Sequence, residues 1–152
     1  MNKDIMFASD YDGTLTNQNI GDYIGDDPLA NLKQVKKITL GFTPKKGIDV
    51  LFRMGLKPII ITGRHEVMRD VTEQWLRMYN VPYSELVMMS FKKFDWNEYV
   101  RFKIVEHKKR PIKFALEDKQ FIATILNGVG VPTFLVTDDF EKTLKEAMEK
   151  KC

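Results

Sequence analysis

The chain has 152 residues, of which 43% are hydrophobic and 30% charged, and its formal net charge is +3. This length and composition favour one globular domain, residues 1–152, without room for a second large one. The apolar runs are too short to span a bilayer, and residues 1–4 show no signal-peptide pattern. The single cysteine, Cys152, excludes an internal disulfide. We therefore expect a cytoplasmic protein without a membrane partner.

The first apolar run, residues 5–9, predicts a buried strand that leads directly into Asp10 and Asp12. In open α/β sheets the ligand crevice lies beyond the carboxyl ends of the strands, and alternate residues of an extended chain share one side. Two adjacent carboxylates repel each other unless a cation joins them, and an all-oxygen cluster suits Mg²⁺. Gly13 allows the chain to turn, and Thr14 offers an anion a hydroxyl and an N–H.

Residues 16–43 are polar and rich in turn-forming residues, and only residues 29–36 predict a short helix. The segment is too small for a folded cap domain, so it is interpreted as a flap or minimal cap. The acids of residues 22–27 resemble a second metal site, but a solvated loop is the preferred interpretation.

A helix is predicted to begin at Thr43 and Pro44, as the N-cap and the first helical residue, and to end at Gly55. Its apolar face is expected to contain Ile48, Leu51 and Phe52. Residues 56–61 contain a β-branched run and predict a second buried strand. The alternation of strand and helix favours a parallel sheet.

Thr62, Gly63 and Arg64 follow this strand. A hydroxyl at a strand end, followed by a glycine and a helix start, presents donors to a phosphate. An N-cap role for Thr62 fits the same geometry. Arg64 is predicted either to contact phosphate with two N–H groups or to be an ordinary first-turn residue of the helix.

The middle of the chain predicts a helix over residues 65–79, with Trp75 in the core, and a third strand over residues 86–89. Residues 90–96 then mix lysines with aromatic side chains, which is typical of nucleotide contact but also of a core edge. Basic residues are concentrated here, with eight Lys or Arg against three acids in residues 92–113. A substrate with several negative charges fits this bias, although a solvated helix end also accounts for part of it.

A helix over residues 96–109 and a fourth strand over residues 112–116 lead to another acidic pair, Glu117 and Asp118. A helix over residues 120–128, a fifth strand over residues 131–136 and a closing helix over residues 138–151, capped by Asp138 or Asp139, complete the pattern. One cysteine and two histidines without ligand spacing disfavour zinc. Two acidic strand ends with a Thr-Gly turn between them indicate one site for a cation and a phosphate.

The hexapeptide Asp10-Tyr11-Asp12-Gly13-Thr14-Leu15 resembles the first motif of the haloacid-dehalogenase-like (HAD) phosphohydrolases. Thr62 matches the family's second motif, and Glu117 and Asp118 match its last. The resemblance covers residues 5–136 and is strongest to 5′(3′)-deoxyribonucleotidase-like proteins and to the phosphatase domain of polynucleotide kinase. It implies an α/β, Rossmann-like three-layer sandwich with a mostly parallel five-stranded sheet.

The same resemblance implies a mechanism. Asp10 would attack phosphorus to form an aspartyl-phosphate, and Asp12 would protonate the leaving group and later activate water. The expected Mg²⁺ ligands are the carboxylates of Asp10, Asp12, Asp118 and Glu117 and the backbone carbonyl of Tyr11. Asp118 is expected to bind the ion directly and Glu117 through a water molecule.

The family also requires a lysine at the site. Lys103 lies fourteen residues before Glu117 and is the preferred candidate, with Lys92 and Lys93 as rivals. Lys103 would bind the phosphoryl group together with Thr62, and Thr14, Gly63 and Arg64 are expected to bind phosphate.

An aspartate two residues after the nucleophile is typical of the family's phosphatases and not of its dehalogenases. The expected activity is therefore Mg²⁺-dependent phosphomonoester hydrolysis, on nucleotide or polynucleotide phosphates at either the 3′ or the 5′ end. Sugar phosphates and other small metabolites are an alternative substrate class. A nucleic-acid binding module that has lost its chemistry is a second alternative.

Overall fold

The computed structural model of the protein describes residues 4–24, 30 and 32–151. The strands are β1 (Ala8–Ser9), β2 (Ile59–His65), β3 (Glu85–Met89), β4 (Ala115–Glu117) and β5 (Thr133–Leu135). The helices are α1 (Gly21–Ile24), α2 (Leu32–Leu40), α3 (Val50–Met54), α4 (Arg69–Met78), α5 (Trp96–Lys108), α6 (Gln120–Gly128) and α7 (Phe140–Lys151), and a 3₁₀ turn at Glu66–Met68 precedes α4.

In the described part of the chain the five strands form one sheet in the order β3-β2-β1-β4-β5, and every neighbouring pair is parallel. Alternate residues of the strands enter two separate apolar clusters, as the two-residue period of a strand requires. Ile60 packs with α2, α3, α4 and α7, whereas Ile59 and Ile61 pack with α5 and α6. The result is the predicted three-layer α/β sandwich.

Trp75 is fully buried, and its indole N–H donates to the Phe42 carbonyl at 3.0 Å, as its core prediction requires. Gly55 ends α3 with a left-handed backbone, φ 67°, and donates to the carbonyls of Leu51 and Phe52. Asp139 caps α7, because its carboxylate accepts the Lys142 N–H at 3.3 Å. These local predictions are confirmed.

The predicted start of the helix at Thr43 and Pro44 is wrong. Thr16 and Pro44 instead form an isolated antiparallel bridge, and α3 begins only at Val50, after Asp49. The short segment leaves Phe52 66% exposed, so Phe52 is not part of the apolar face. Pairing with the loop after β1 thus outweighs the local helix signal.

The second strand is longer than predicted, because β2 continues through Thr62, Gly63 and Arg64 to His65. Its register with β3 shifts between Ile61 and His65, which marks a bulge in the strand. The bulged end of β2 therefore lies against the site as extended backbone rather than as the first turn of a helix.

Some predictions fall outside the described residues. They concern residues 1–3, Cys152, residues 25–27 of the acidic loop predicted at 22–27, and the first part of the helix predicted at 29–36, of which α2 includes residues 32–36. Residues 22–24 of that predicted loop are helical, in α1. The assignment of residues 16–43 as a flap stays a prediction. No helix in the ranges that the structure describes has the length and apolarity needed to cross a bilayer.

Candidate active site

The sheet register brings the two acidic strand ends together. Ser9 pairs with Leu116 across β1 and β4. The residues that follow this pair, Asp10 and Glu117, therefore lie side by side at the carboxyl edge of the sheet. Asp10, Glu117 and Asp118 each place one carboxylate oxygen within 4.8 Å of the others. Among the described residues these three acids form a candidate metal cluster.

Lys103 lies between two of these acids. Its Nζ donates to Asp10 Oδ1 at 3.1 Å, to Glu117 Oε2 at 3.1 Å and to the Ile61 carbonyl at 2.9 Å. These three acceptors satisfy all three N–H donors of the ammonium group. The Lys103 side chain can therefore be buried, with 1% exposed, on helix α5, which packs against β2. The rivals Lys92 and Lys93 are exposed in the link before α5. The lysine that lies fourteen residues before Glu117 is therefore the one that the tertiary structure brings to Asp10.

The two acids after β4 have different surroundings. Glu117 is occupied by protein donors: one oxygen accepts from Lys103, and the other accepts the N–H groups of Asp118 and Lys119 at 3.2 and 3.3 Å. Asp118 lines the cavity in front of the sheet. It accepts the Thr14 hydroxyl at 3.2 Å. The arrangement favours Asp118 over Glu117 as a direct ligand.

The pKa values of this cluster reflect the sharing of one lysine by two buried acids. Burial opposes the ionised form of Asp10, but the charges of Lys103 and Lys119 and hydrogen bonding with Glu117 and Asp118 together outweigh it and hold the pKa of Asp10 below its usual range. Burial and the negative charge of Asp10 raise the pKa of Glu117 well above its ordinary value, and the same causes raise the pKa of Asp118. Lys103 and Lys119 supply two positive charges for three carboxylates, so the cluster favours a further cation.

Asp12 is held by Arg64 rather than by the acidic cluster. Nε of Arg64 donates to Oδ2 of Asp12 at 2.9 Å, and Nη2 donates to Oδ1 at 3.0 Å. Nη1 donates to the hydroxyls of Thr39 and Thr72 at 3.0 and 3.1 Å, and the guanidinium lies 4.7 Å from the centre of the Tyr11 ring. The first-turn alternative for Arg64 is wrong, because the residue lies in β2. Arg64 lines the cavity, but four of its five guanidinium N–H groups already contact Asp12, Thr39 and Thr72.

Two predicted metal ligands need correction. The described acidic cluster contains Asp10, Glu117 and Asp118 but not Asp12, whose oxygens accept from Arg64 and from the Ile20 N–H. The Tyr11 carbonyl accepts the N–H groups of Thr14, Leu15 and Thr16, which closes the loop after β1. Its oxygen is therefore directed into that turn and is not offered to a cation.

The predicted phosphate-binding residues differ in their availability. Thr62 lines the cavity, and its hydroxyl accepts the Arg64 N–H at 3.2 Å, which leaves its own proton to donate. Thr14 is fully buried and donates its hydroxyl to Asp118, so it positions that acid. Gly63 lines the cavity, and a Cβ there would collide with the Tyr99 ring. The N-cap alternative for Thr62 is wrong, because His65 caps the following 3₁₀ turn.

The cavity at the carboxyl edge has a volume of about 320 Å³ and a lining of two chemical kinds. The polar lining includes Asp10, Asp12, Asp118, Thr62 and two residues not predicted from the sequence. These are Lys119, whose Nζ lies 3.9 Å from Asp118 Oδ1, and Asn19, which accepts a hydrogen bond from Lys119 at 3.1 Å. The position of Lys119 directly after Glu117 and Asp118 was a usable signal, whereas nothing local marks Asn19. The aromatic lining consists of Phe91, Phe94, Trp96 and Tyr99.

The comparisons with family models and with curated proteins found no match. Among solved structures, the HAD domain of the effector protein Lem4 from Legionella pneumophila, an inactive mutant, aligns with a TM-score of 0.57 at 14% identity, over 99% of this chain and 95% of that one. A chain from the Pnkp1/Rnl/Hen1 RNA repair complex aligns with a TM-score of 0.56 at 19% identity, over 91% of this chain. The present chain spans 45% of that repair-complex chain. The fold is HAD-like.

Proposed function

We propose that this protein is a Mg²⁺-dependent phosphomonoester hydrolase that acts through an aspartyl-phosphate on Asp10. The observation that carries the proposal is the buried contact of Lys103 with both Asp10 and Glu117, beside a cavity that Asp10, Asp12 and Asp118 line. Burial of charged groups costs several kcal/mol unless they are paired, so an assembly of this kind is typical of a functional site.

The donor set fits Mg²⁺. Three carboxylates supply oxygen ligands only, and a hard cation that keeps several waters needs just one or two of them. Asp10 and Asp118 would hold the ion, with Glu117 contributing through water. When bound, Mg²⁺ would neutralise phosphate charge as it develops at the reacting centre.

The side chains have separable roles. An Asp10 carboxylate oxygen attacks phosphorus, and the leaving oxygen takes a proton from Asp12 as its bond to phosphorus breaks. Asp12 then removes a proton from the water that attacks the aspartyl-phosphate, which releases phosphate and restores Asp10. Thr62 donates a hydrogen bond to a phosphoryl oxygen, and the positive charge of Lys103, whose three N–H groups contact Asp10, Glu117 and the Ile61 carbonyl, offsets negative charge at the reacting centre. Lys119, at the rim of the same cavity, adds a positive charge for the substrate.

For the substrate we propose a nucleotide or the terminal phosphate of a polynucleotide. Aromatic side chains in the lining of the same cavity provide apolar surface for a base, and sequence-tolerant stacking on such rings is common in nucleic-acid binding. The likeness to a chain of an RNA repair complex supports the same substrate class. A small aliphatic phosphate gains little from an aromatic wall.

The experiment is phosphate release from 3′- and 5′-phosphorylated oligonucleotides, a nucleoside monophosphate and glycerol phosphate, each with Mg²⁺ and with EDTA. We expect release only with Mg²⁺ and at the highest rate for a nucleotide substrate. Asp10→Asn should abolish turnover, while Glu149→Gln, on the exposed part of α7, removes one acid and should not change it. No release from any substrate would contradict the proposal, and a preference for glycerol phosphate would redirect it to small metabolites.

A further inference from the structure

Aromatic rings continue from the cavity to the protein surface. Phe91 contacts Phe94 with 5.8 Å between ring centres, Phe94 contacts Trp96 at 5.0 Å, and Trp96 contacts Phe121 at 5.7 Å. Phe91, Phe94 and Trp96 line the cavity, whereas Phe121 lies on α6 outside it. We call these four side chains the aromatic row.

The outer half of the aromatic row is not explained by core packing. Phe91 and Phe94 pack against the apolar cluster on the α5 and α6 side of the sheet, and a core-edge role accounts for them. Trp96 is 53% exposed and Phe121 is 44% exposed. Two adjacent, half-exposed aromatic side chains at the mouth of a polar site leave apolar surface in water, and such surface commonly marks a binding site.

The charges around the aromatic row suit an anionic chain. Lys92 and Lys93 are exposed beside Phe91, and Lys119 precedes α6, two residues before Phe121. Successive nucleotides of a single strand present a flat base and a phosphate at each step, which matches a row of rings with lysines near Phe91 and Phe121 in the sequence. A lipid or an apolar peptide would have no use for the lysines.

We propose that the aromatic row is a two-nucleotide subsite, in which Trp96 stacks on the terminal nucleobase and Phe121 stacks on the next one. This inference deepens the proposed function, since it places the terminal phosphate at the acids that line the same cavity. In a duplex only the outer face of the terminal base pair is exposed and the next base is covered by its neighbours, so stacking of two successive bases on two rings selects single-stranded ends over blunt duplex ends. A second nucleotide adds affinity through Phe121.

Tryptophan fluorescence tests the subsite without catalysis. The chain has two tryptophans, and Trp75 is fully buried, so quenching by a stacked base reports on Trp96. Terminally phosphorylated mono- and dinucleotides are titrated into the Asp10→Asn variant, which prevents turnover. We expect saturable quenching that disappears in the additional variant Trp96→Phe, while affinity measured with a labelled dinucleotide stays within about threefold because the ring remains.

Affinity changes then assign the two positions. Trp96→Ala should weaken dinucleotide binding about 10- to 100-fold, as expected for the loss of one stacked base. Phe121→Ala should leave mononucleotide affinity unchanged and remove the gain from the second nucleotide. Phe52→Ala removes another exposed ring on the opposite face of the sheet, at α3, and should change neither.

The possible outcomes separate this inference from the proposed function. Quenching and the two affinity losses without phosphate release by the wild-type protein would support the subsite and overturn the phosphatase. Release from oligonucleotides that is indifferent to Trp96→Ala and Phe121→Ala would support the phosphatase and overturn the subsite. Equal affinity for single-stranded and blunt duplex ends would also overturn it.

Discussion

The guanidinium of Arg64 binds both carboxylate oxygens of Asp12, at 2.9 and 3.0 Å, and both residues are buried. The remaining Arg64 donors reach Thr39 on α2 and Thr72 on α4. The proposed proton-transferring acid is thus fixed to two helices and to the second strand. This planar side chain and the Ile20 N–H together orient Asp12.

Arg64→Lys is the first prediction. Lysine keeps the charge but cannot make a bidentate contact, so Asp12 should lose its fixed orientation. We expect kcat to fall about 100-fold with little change in KM, since misplacement of a catalytic group by about 1 Å has effects of this size. Steady-state kinetics measure both constants. Arg53→Lys, at an exposed pair with Asp49, is the control and should behave as wild type.

Lys103→Met should cost both activity and stability. It removes the lysine ammonium that forms salt bridges with both buried carboxylates, Asp10 and Glu117. Breaking a buried ion pair typically costs about 3–5 kcal/mol. Urea unfolding at neutral pH measures the loss. Lys92→Met and Lys93→Met should each change stability by less than about 0.5 kcal/mol.

A second variant keeps the lysine prediction testable if Lys103→Met does not fold. The double change Lys103→Met with Glu117→Gln removes one of the two unpaired charges, so part of the lost stability should return while activity does not. Wild-type turnover by either variant would contradict the assignment of Lys103.

Mg²⁺ should raise the melting temperature of the wild-type protein, because a ligand that binds only the folded state stabilises it by mass action. Asp118→Asn should remove most of this increase. Asp12→Asn should retain it, since Asp12 binds Arg64 and lies outside the acidic cluster. Thermal unfolding with and without Mg²⁺ measures this increase in each variant. If both variants lost the increase equally, Asp12 would be a Mg²⁺ ligand as well.

Stability should also depend on His107 at mildly acidic pH. Burial lowers the pKa of His107 from 6.5 to about 4, and the nearby Lys103 charge acts in the same direction. The unfolded chain then binds a proton that the folded protein excludes, so stability is full above about pH 6.5 and falls as the pH drops toward 4. The loss should reach about 3 kcal/mol.

Urea unfolding between pH 7 and pH 4 checks this dependence against His107→Asn. The introduced amide can still donate to the Lys103 carbonyl, which His107 contacts through Nδ1 at 2.6 Å, but it does not titrate. The slope of stability against pH between 6.5 and 4 should therefore be smaller in the variant. An unchanged slope would assign the acid sensitivity to other groups.

A large part of the fold follows from local patterns. The apolar run before Asp10, the β-branched run before Thr62 and the run before Glu117 each predict a strand, and alternation with helices predicts the parallel sheet. Because carboxyl ends of parallel strands meet at one edge, the sequence alone also predicts that Asp10, Asp118 and Thr62 lie near each other. Helix α5 and the burial of Trp75 could also be predicted from the sequence, since their signals depend on residues close to each other in the chain.

The tertiary structure decided the features that depend on contacts between distant residues. The fourteen-residue spacing favoured Lys103, but only the packing of α5 against β2 brings its ammonium to Asp10, since a helical lysine is exposed by default. The bulge that extends β2 places Arg64 in the strand rather than in a helical first turn, and its guanidinium there binds Asp12. The meeting of Trp96 with Phe121, from different helices, depends on the same long-range packing. Local sequence determines which elements form, whereas partner choice among buried charged and aromatic groups is set by packing across the sheet.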